Sequence, residues 1–150
     1  PIKVKETDIF VCVPFIYSPK YVQRDYDVRV IPKNIRKQMT KIYIIAPKVN
    51  INSEGNLMVF GTYLFEHDFT PVTYYLPHYS PHYGICYGNA RVKTSYNGIP
   101  SFSSFYRDTV QPIIQSLEIV NLNSAYDSDQ TDLLKDNFNS FRPAQYIFQT

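Results

Sequence analysis

Cys86 has the widest chemical reach of any side chain in this sequence. It lies in Leu76-Pro77-His78-Tyr79-Ser80-Pro81-His82-Tyr83-Gly84-Ile85-Cys86-Tyr87-Gly88-Asn89, with His78 and His82 at i−8 and i−4. A thiol and two imidazoles are zinc-type ligands. That spacing aligns them only on a helix, and Pro77, Pro81 and Gly84 oppose a helix there. A zinc site would also need a fourth ligand, and only the distant His67 or an acidic residue is on offer, so no metal and no cofactor are expected. Flanked by Ile85 and Tyr87, Cys86 can equally be a small hydrophobe packed beneath a loop.

Other catalytic signatures are missing. There is no phosphate-cradling glycine loop, no nucleophile-elbow serine and no helical His-Glu metalloprotease motif. Asp127, Asp129 and Asp132 are closely spaced, but no glycine stands where a calcium loop needs one. They are expected to cap the last helix, whose positive end favours carboxylates.

The elements that must position these residues are mostly strands. The chain has 150 residues and 44% hydrophobic side chains, enough for a core within one domain spanning 1–150. Fourteen Tyr and ten Phe favour half-buried pleated surfaces. Strands are expected over about 8–76, broken by Ser18-Pro19, by Pro32 and by the turn Asn52-Ser53-Glu54-Gly55-Asn56. Residues 21–31 alternate imperfectly, with a break near Arg24. Residues 34–40 read as a loop or one helical turn. Residues 41–66 read as a hairpin, and 71–76 as a further short strand. Residues 77–103 read as a long loop, the usual place for function. Helices are expected at about 111–121, where Pro112 suits a first turn, and at 129–141, where Leu133, Leu134, Phe138 and Phe141 make an apolar face. Strands followed by helices give an α+β fold: an antiparallel meander with two C-terminal helices on one face.

Charge and cysteine usage narrow the setting. A net charge of +2 gives no basic footprint for nucleic acid. Lys33, Arg36, Lys37 and Lys41 cluster locally, either as a solvated face or as a phosphate-contacting patch. Two cysteines make no disulfide framework, and Cys12, inside Ile9-Phe10-Val11-Cys12-Val13, is expected in the core. No stretch approaches the roughly 20 apolar residues of a membrane span, and no signal-peptide pattern is visible. An intracellular (cytoplasmic) location, or a place in an intracellularly assembled particle, is expected.

The segment around Cys86 resembles the active-site segment of the ubiquitin-conjugating enzyme fold. There a strand enters a His-Pro-Asn turn, and an Ile-Cys pair follows in an extended loop before a helix. Pro77 lies nine residues before Cys86, as in that pattern, and Asn121 to Tyr126 resembles the stretch after the second helix. The chain looks closer still to prokaryotic relatives of that fold such as PRTRC system protein B. Ile42–Ala46, Leu57–Leu64, Thr73–Leu76 and Cys86–Asn89 follow the order of that group. The likeness covers residues 41–126 in outline, with about a dozen residues as its specific part. The family's asparagine position falls on His78, its glycine falls one place differently at Gly84, and its N-terminal helix has no counterpart.

The resemblance implies a thioester carrier. Such a carrier needs an accessible, activated thiolate and a donor for the oxyanion formed when an amine attacks. Cys86 would be the thiol. His78, Asn89 or a backbone amide near Gly88 would be the donor, and His82 would be a base or a group that lowers the thiol pKa. The partner would be a ubiquitin-like protein.

The competing expectation is a non-catalytic structural or interaction subunit of a larger assembly. Tyrosine offers an apolar body with a polar tip, so Tyr79, Tyr83 and Tyr87, with His82, would form the binding surface for a protein partner. A fold does not carry its activity with it; this second expectation is favoured for function and the conjugating-enzyme likeness for fold.

Overall fold

The computed structural model describes residues 4–144. The chain is α+β. Its strands are β1 (Ile9–Phe10), β2 (Val13–Tyr17), β3 (Tyr21–Arg24), β4 (Asp27–Val30), β5 (Lys41–Ile51), β6 (Leu57–Phe65), β7 (Tyr79–Ser80), β8 (Gly84–Ile85), β9 (Ser95–Tyr96), β10 (Ile119–Asn121) and β11 (Arg142–Pro143). Its helices are α1 (Lys33–Met39), α2 (Phe102–Phe105), α3 (Gln111–Ser116) and α4 (Asp129–Asn137). A π-helical turn, Tyr106–Val110, joins α2 to α3, and a 3₁₀ turn, Phe138–Ser140, extends α4.

The principal sheet is built on the β5–β6 hairpin. Asn52 Oδ1 accepts the Glu54 and Asn56 amides at 3.0 Å each, and Gly55 at φ +81° completes the turn. β1 and β2 both pair antiparallel with β5, and β9 pairs with the far side of β6. Pro47 stands inside β5, where the register to β6 shifts between Pro47 and Val49. Proline donates no ladder bond, so a bulge is where a strand tolerates one. Gly61, next to Thr62 across from Pro47, takes φ +106°. Alternation sends Phe15, Tyr17, Tyr43, Ile45 and Leu64 to one side, where Phe105, Val110, Ile113 and Leu117 of the α2–α3 run pack on them.

A second sheet runs in the order β10-β3-β4-β11. The break near Arg24 is the β3–β4 turn, with Asp25 at φ +53°. Met39 of α1 and Leu134 of α4 bury against Val22 and Val120 of this sheet, with Phe138 and Phe141 beside them. The two C-terminal helices thus divide their work, the first covering the principal sheet and the second the smaller one.

Several expectations are corrected. Residues 34–40 are largely the helix α1. Residues 71–76 form no strand; they contribute only isolated bridges, Phe65 to Pro71 and Leu76 to Tyr79. The loop 77–103 carries β7, β8 and β9. The helix expected at 111–121 begins at Phe102 and ends at Ser116, and Ile119–Asn121 pairs parallel with β3. The last helix gives way to a 3₁₀ turn after Asn137. Its N-cap is Ser128, whose Oγ accepts the Thr131 amide at 3.2 Å, while Asp129 and Asp132 occupy the first turn. Asp127 instead faces Lys135 at 3.4 Å. Cys12 is exposed, because Val11 and Val13 take the inward positions of the alternation and leave Cys12 outward.

Candidate functional site

The segment carrying Cys86 is pinned from below, from the side and through its backbone. Tyr79 lies fully buried under β6; its hydroxyl accepts the Leu64 amide at 3.3 Å and donates to the Val72 carbonyl at 3.2 Å. Burial pushes that phenol up to about 12. Gly84 takes φ +79°, and a Cβ there would overlap the Thr62 carbonyl oxygen, so only glycine lets β8 lie this close to β6. The Cys86 amide donates to the His78 carbonyl at 2.8 Å. His78 sits at φ +62°, a left-handed conformation rare outside glycine.

His78 joins the two sheets. Its Nε2 accepts the Asn121 amide of β10 at 2.9 Å. A ring whose Nε2 accepts carries its proton on Nδ1. Burial holds the imidazole below its ordinary pKa, so it stays neutral. His78 therefore has a donor to offer at Nδ1 and no lone pair left for a general base.

Beside this anchor runs a groove of about 640 Å³. Cys86, whose side chain is exposed, lines it together with His78, Tyr87 and Asn89. The opposite wall comes from Gln115 of α3 and Asn121 of β10. The groove surrounds a reachable thiol with amide side chains able to donate and accept hydrogen bonds. A neighbouring pocket that shares Ala90, Arg91 and Pro112 with the groove is also lined by Lys93, Arg107 and Asp108; the last two pair at 3.0 Å, and among the described residues Arg91 and Lys93 form no ion pair.

The structure thus brings Cys86, His78, Asn89 and Tyr87 together. It does not bring in His82 or Tyr83, which are exposed on the β7–β8 turn with their rings 6.4 Å apart and do not line the groove. Tyr79 presents nothing to a partner, since its ring is in the core and its hydroxyl is used inside the fold. Among the described residues, no three metal-ligating side chains converge. Gln23, Gln115 and Arg91 were missed in the sequence. The first two are distant in the chain and carry no motif; only the nearness of Arg91 to Cys86 could have drawn attention to it.

Fold and site define a class no narrower than an α+β domain with an exposed thiol in an amide-lined groove. No protein-family description matches the chain, and neither a curated protein nor a solved structure does. No helix among the described residues is long and apolar enough to cross a membrane.

Proposed function

We propose that this chain is a protein-interaction module, a structural subunit that docks through an exposed apolar strip on the face of its principal sheet away from the helices. One observation carries the reading. The helices cover one side of that sheet, and the other side is apolar as well. There Pro14, Ile44 and Phe65 lie side by side across β2, β5 and β6, with Ile16 opposite Ile42. Ile44, Ala46 and Phe65 are themselves buried, in a small cluster with Phe10 and Tyr63, and the exposed part of this face is the strip Pro14, Ile16 and Ile42 beside it. Ile16 remains 63% exposed and Ile42 57%. A contiguous apolar patch of this kind on a folded domain marks a protein contact. The partner is a protein whose own contact surface is apolar.

The test is sizing by light scattering over a concentration series. The isolated chain is expected to self-associate reversibly through this face. The double variant Ile16→Lys, Ile42→Lys should stay monomeric with unchanged urea stability. A chain that remains monomeric at millimolar concentration and binds no apolar dye would overturn the reading.

A second reading is favoured by a separate observation, the accessibility of Cys86. In it, the fold is a conjugating-enzyme-like one and Cys86 carries a ubiquitin-like protein as a thioester, with His78 Nδ1–H or Asn89 as oxyanion donor. Cys12 is also exposed, so the measurement belongs in a Cys12→Ser background. Cys86 should then alkylate faster near neutral pH than a free thiol of similar exposure in a peptide. Slower labelling would remove the chemistry and leave the docking function intact.

A further inference from the structure

A second cavity, far from the thiol in sequence, has the make-up of an anion site. It measures about 260 Å³ and lies between the β2 edge strand, α1 and the end of α3. Its apolar walls include Phe15, Ile16, Ile114 and Leu117, Tyr17 also lines it, and its charged and hydroxyl groups include Ser18, Lys20, Arg36 and Glu118. Lys20 pairs with Glu118 at 3.3 Å. Among the described residues no carboxylate pairs with Arg36.

Arg36 is held in place without being neutralised. Its Nε donates to Ser18 Oγ at 2.9 Å. Ser18 Oγ lies 3.1 Å from Thr40 Oγ1, which donates to the Arg36 carbonyl at 2.8 Å. This closed ring of hydrogen bonds fixes the guanidinium through one nitrogen and leaves its two terminal nitrogens with no partner among the described residues. A planar fork of donors, already ordered, is what two-point recognition of an oxyanion requires. Ordering it in advance removes the cost of immobilising that side chain on binding. The other basic residues of the α1 neighbourhood do not share this arrangement. Lys33 and Lys37 are exposed on the helix, and Lys41 is bound to Glu66 at 2.9 Å.

The charge decides which oxyanion. Two cations and one carboxylate line the cavity, so it carries one net positive charge. That balances a monoanion, whereas a phosphate monoester brings nearly two charges near neutral pH. The apolar walls ask for a hydrocarbon body behind the charged head. The volume, below the roughly 300–1,000 Å³ of drug-sized sites, asks for a small one.

We propose that this cavity binds an apolar group bearing a single carboxylate, held by Arg36. The carboxylate belongs to a small free acid or to the C-terminal residue of a peptide, two sources of the same chemistry. The site shares no residue with the thiol groove and only Ile16 with the sheet face.

The experiment follows amide and Arg36 Nε–H resonances of the 15N-labelled full chain. The titrants are 4-methylpentanoate, its uncharged amide, inorganic phosphate, and a short peptide ending in leucine with its carboxyl free or amidated. The free acid, the free-carboxyl peptide or both should shift Ser18, Arg36 and Leu117, and which of them does so identifies the source. Arg36→Gln should weaken that binding about tenfold or more, while Lys93→Gln should not alter it. The proposal is overturned if the amides bind as well as the acids, if phosphate binds more tightly than either acid, or if neither acid binds. The comparison of acid with amide uses the unaltered protein, so it decides even if Arg36→Gln fails to fold.

Discussion

His78 shows how one side chain can tie structure to pH. Its Nε2 lone pair is committed to the Asn121 amide, and protonation would destroy that bond. Burial lowers its pKa in the folded state, while the unfolded chain titrates near the ordinary value of about 6.5. Below that value the unfolded state binds more protons than the folded one, so stability falls as pH falls. The contribution is complete above about 6.5 and is lost progressively on the acid side. Urea midpoints at about pH 7.5 and pH 5 should therefore differ more for the parent than for His78→Asn. Asparagine accepts the left-handed φ of +62° but does not titrate. An equal drop in both proteins would show that His78 is not the group responsible. The sequence placed His78 near Cys86 but cast it as a donor only by resemblance. That its lone pair is taken by β10, 43 residues away in the chain, depends on tertiary contact and leaves no local trace.

At the scale of elements, what could be read depended on whether the cause was local. The β5–β6 hairpin was legible because its turn is built from Asn52 and Gly55 and its strands are long. The helical run 102–116 was half legible. Pro112 reads as a helix start because its missing N–H is harmless there. It instead lies within the run, and the Asp108 carbonyl that it cannot satisfy accepts the Lys93 amide at 3.0 Å. The π-helical turn just before it, closed by the Gln111 amide on the Tyr106 carbonyl, is where the ladder changes spacing. Thr109, fully buried on that turn, places its hydroxyl 2.6 Å from that of Tyr96 and donates to the Lys93 carbonyl. So the irregular turn holds the far end of the loop that begins at Cys86. None of this is written in periodicity. The parallel pairing of Ile119–Asn121 with β3 was equally hidden, since a three-residue strand after a helix looks like the helix's last turn. Cys12 is expected in the core from its place in the apolar run Ile9-Phe10-Val11-Cys12-Val13. The sheet instead sends alternate members outward, onto the face proposed to dock.

At the scale of the whole molecule, the two cores are joined more firmly than their separation suggests. Glu118, at the end of the first helical run, accepts the Lys20 and Tyr21 amides at 2.8 and 3.0 Å, so the chain passes from one core into the sheet of the other without a slack linker. His78 adds a bond from the Cys86 segment to β10, and the Leu122 amide adds one to the Gln23 carbonyl at 2.8 Å. If these links make one folding unit, damage to the smaller core must be felt in the larger. Leu134, fully buried beside Val22 and Val120, is the place to test it. Leu134→Ala should cost about 2–5 kcal/mol, the range for emptying a core leucine site. Unfolding followed by hydrogen exchange should lose protection at Ile45 of β5 and at Val22 of β3 by the same free energy, as one cooperative transition requires. Loss of protection at Val22 with Ile45 unchanged would mean that the smaller sheet opens alone. In that case the groove wall at Asn121 would be a movable part of the site, and His78 the latch that closes it.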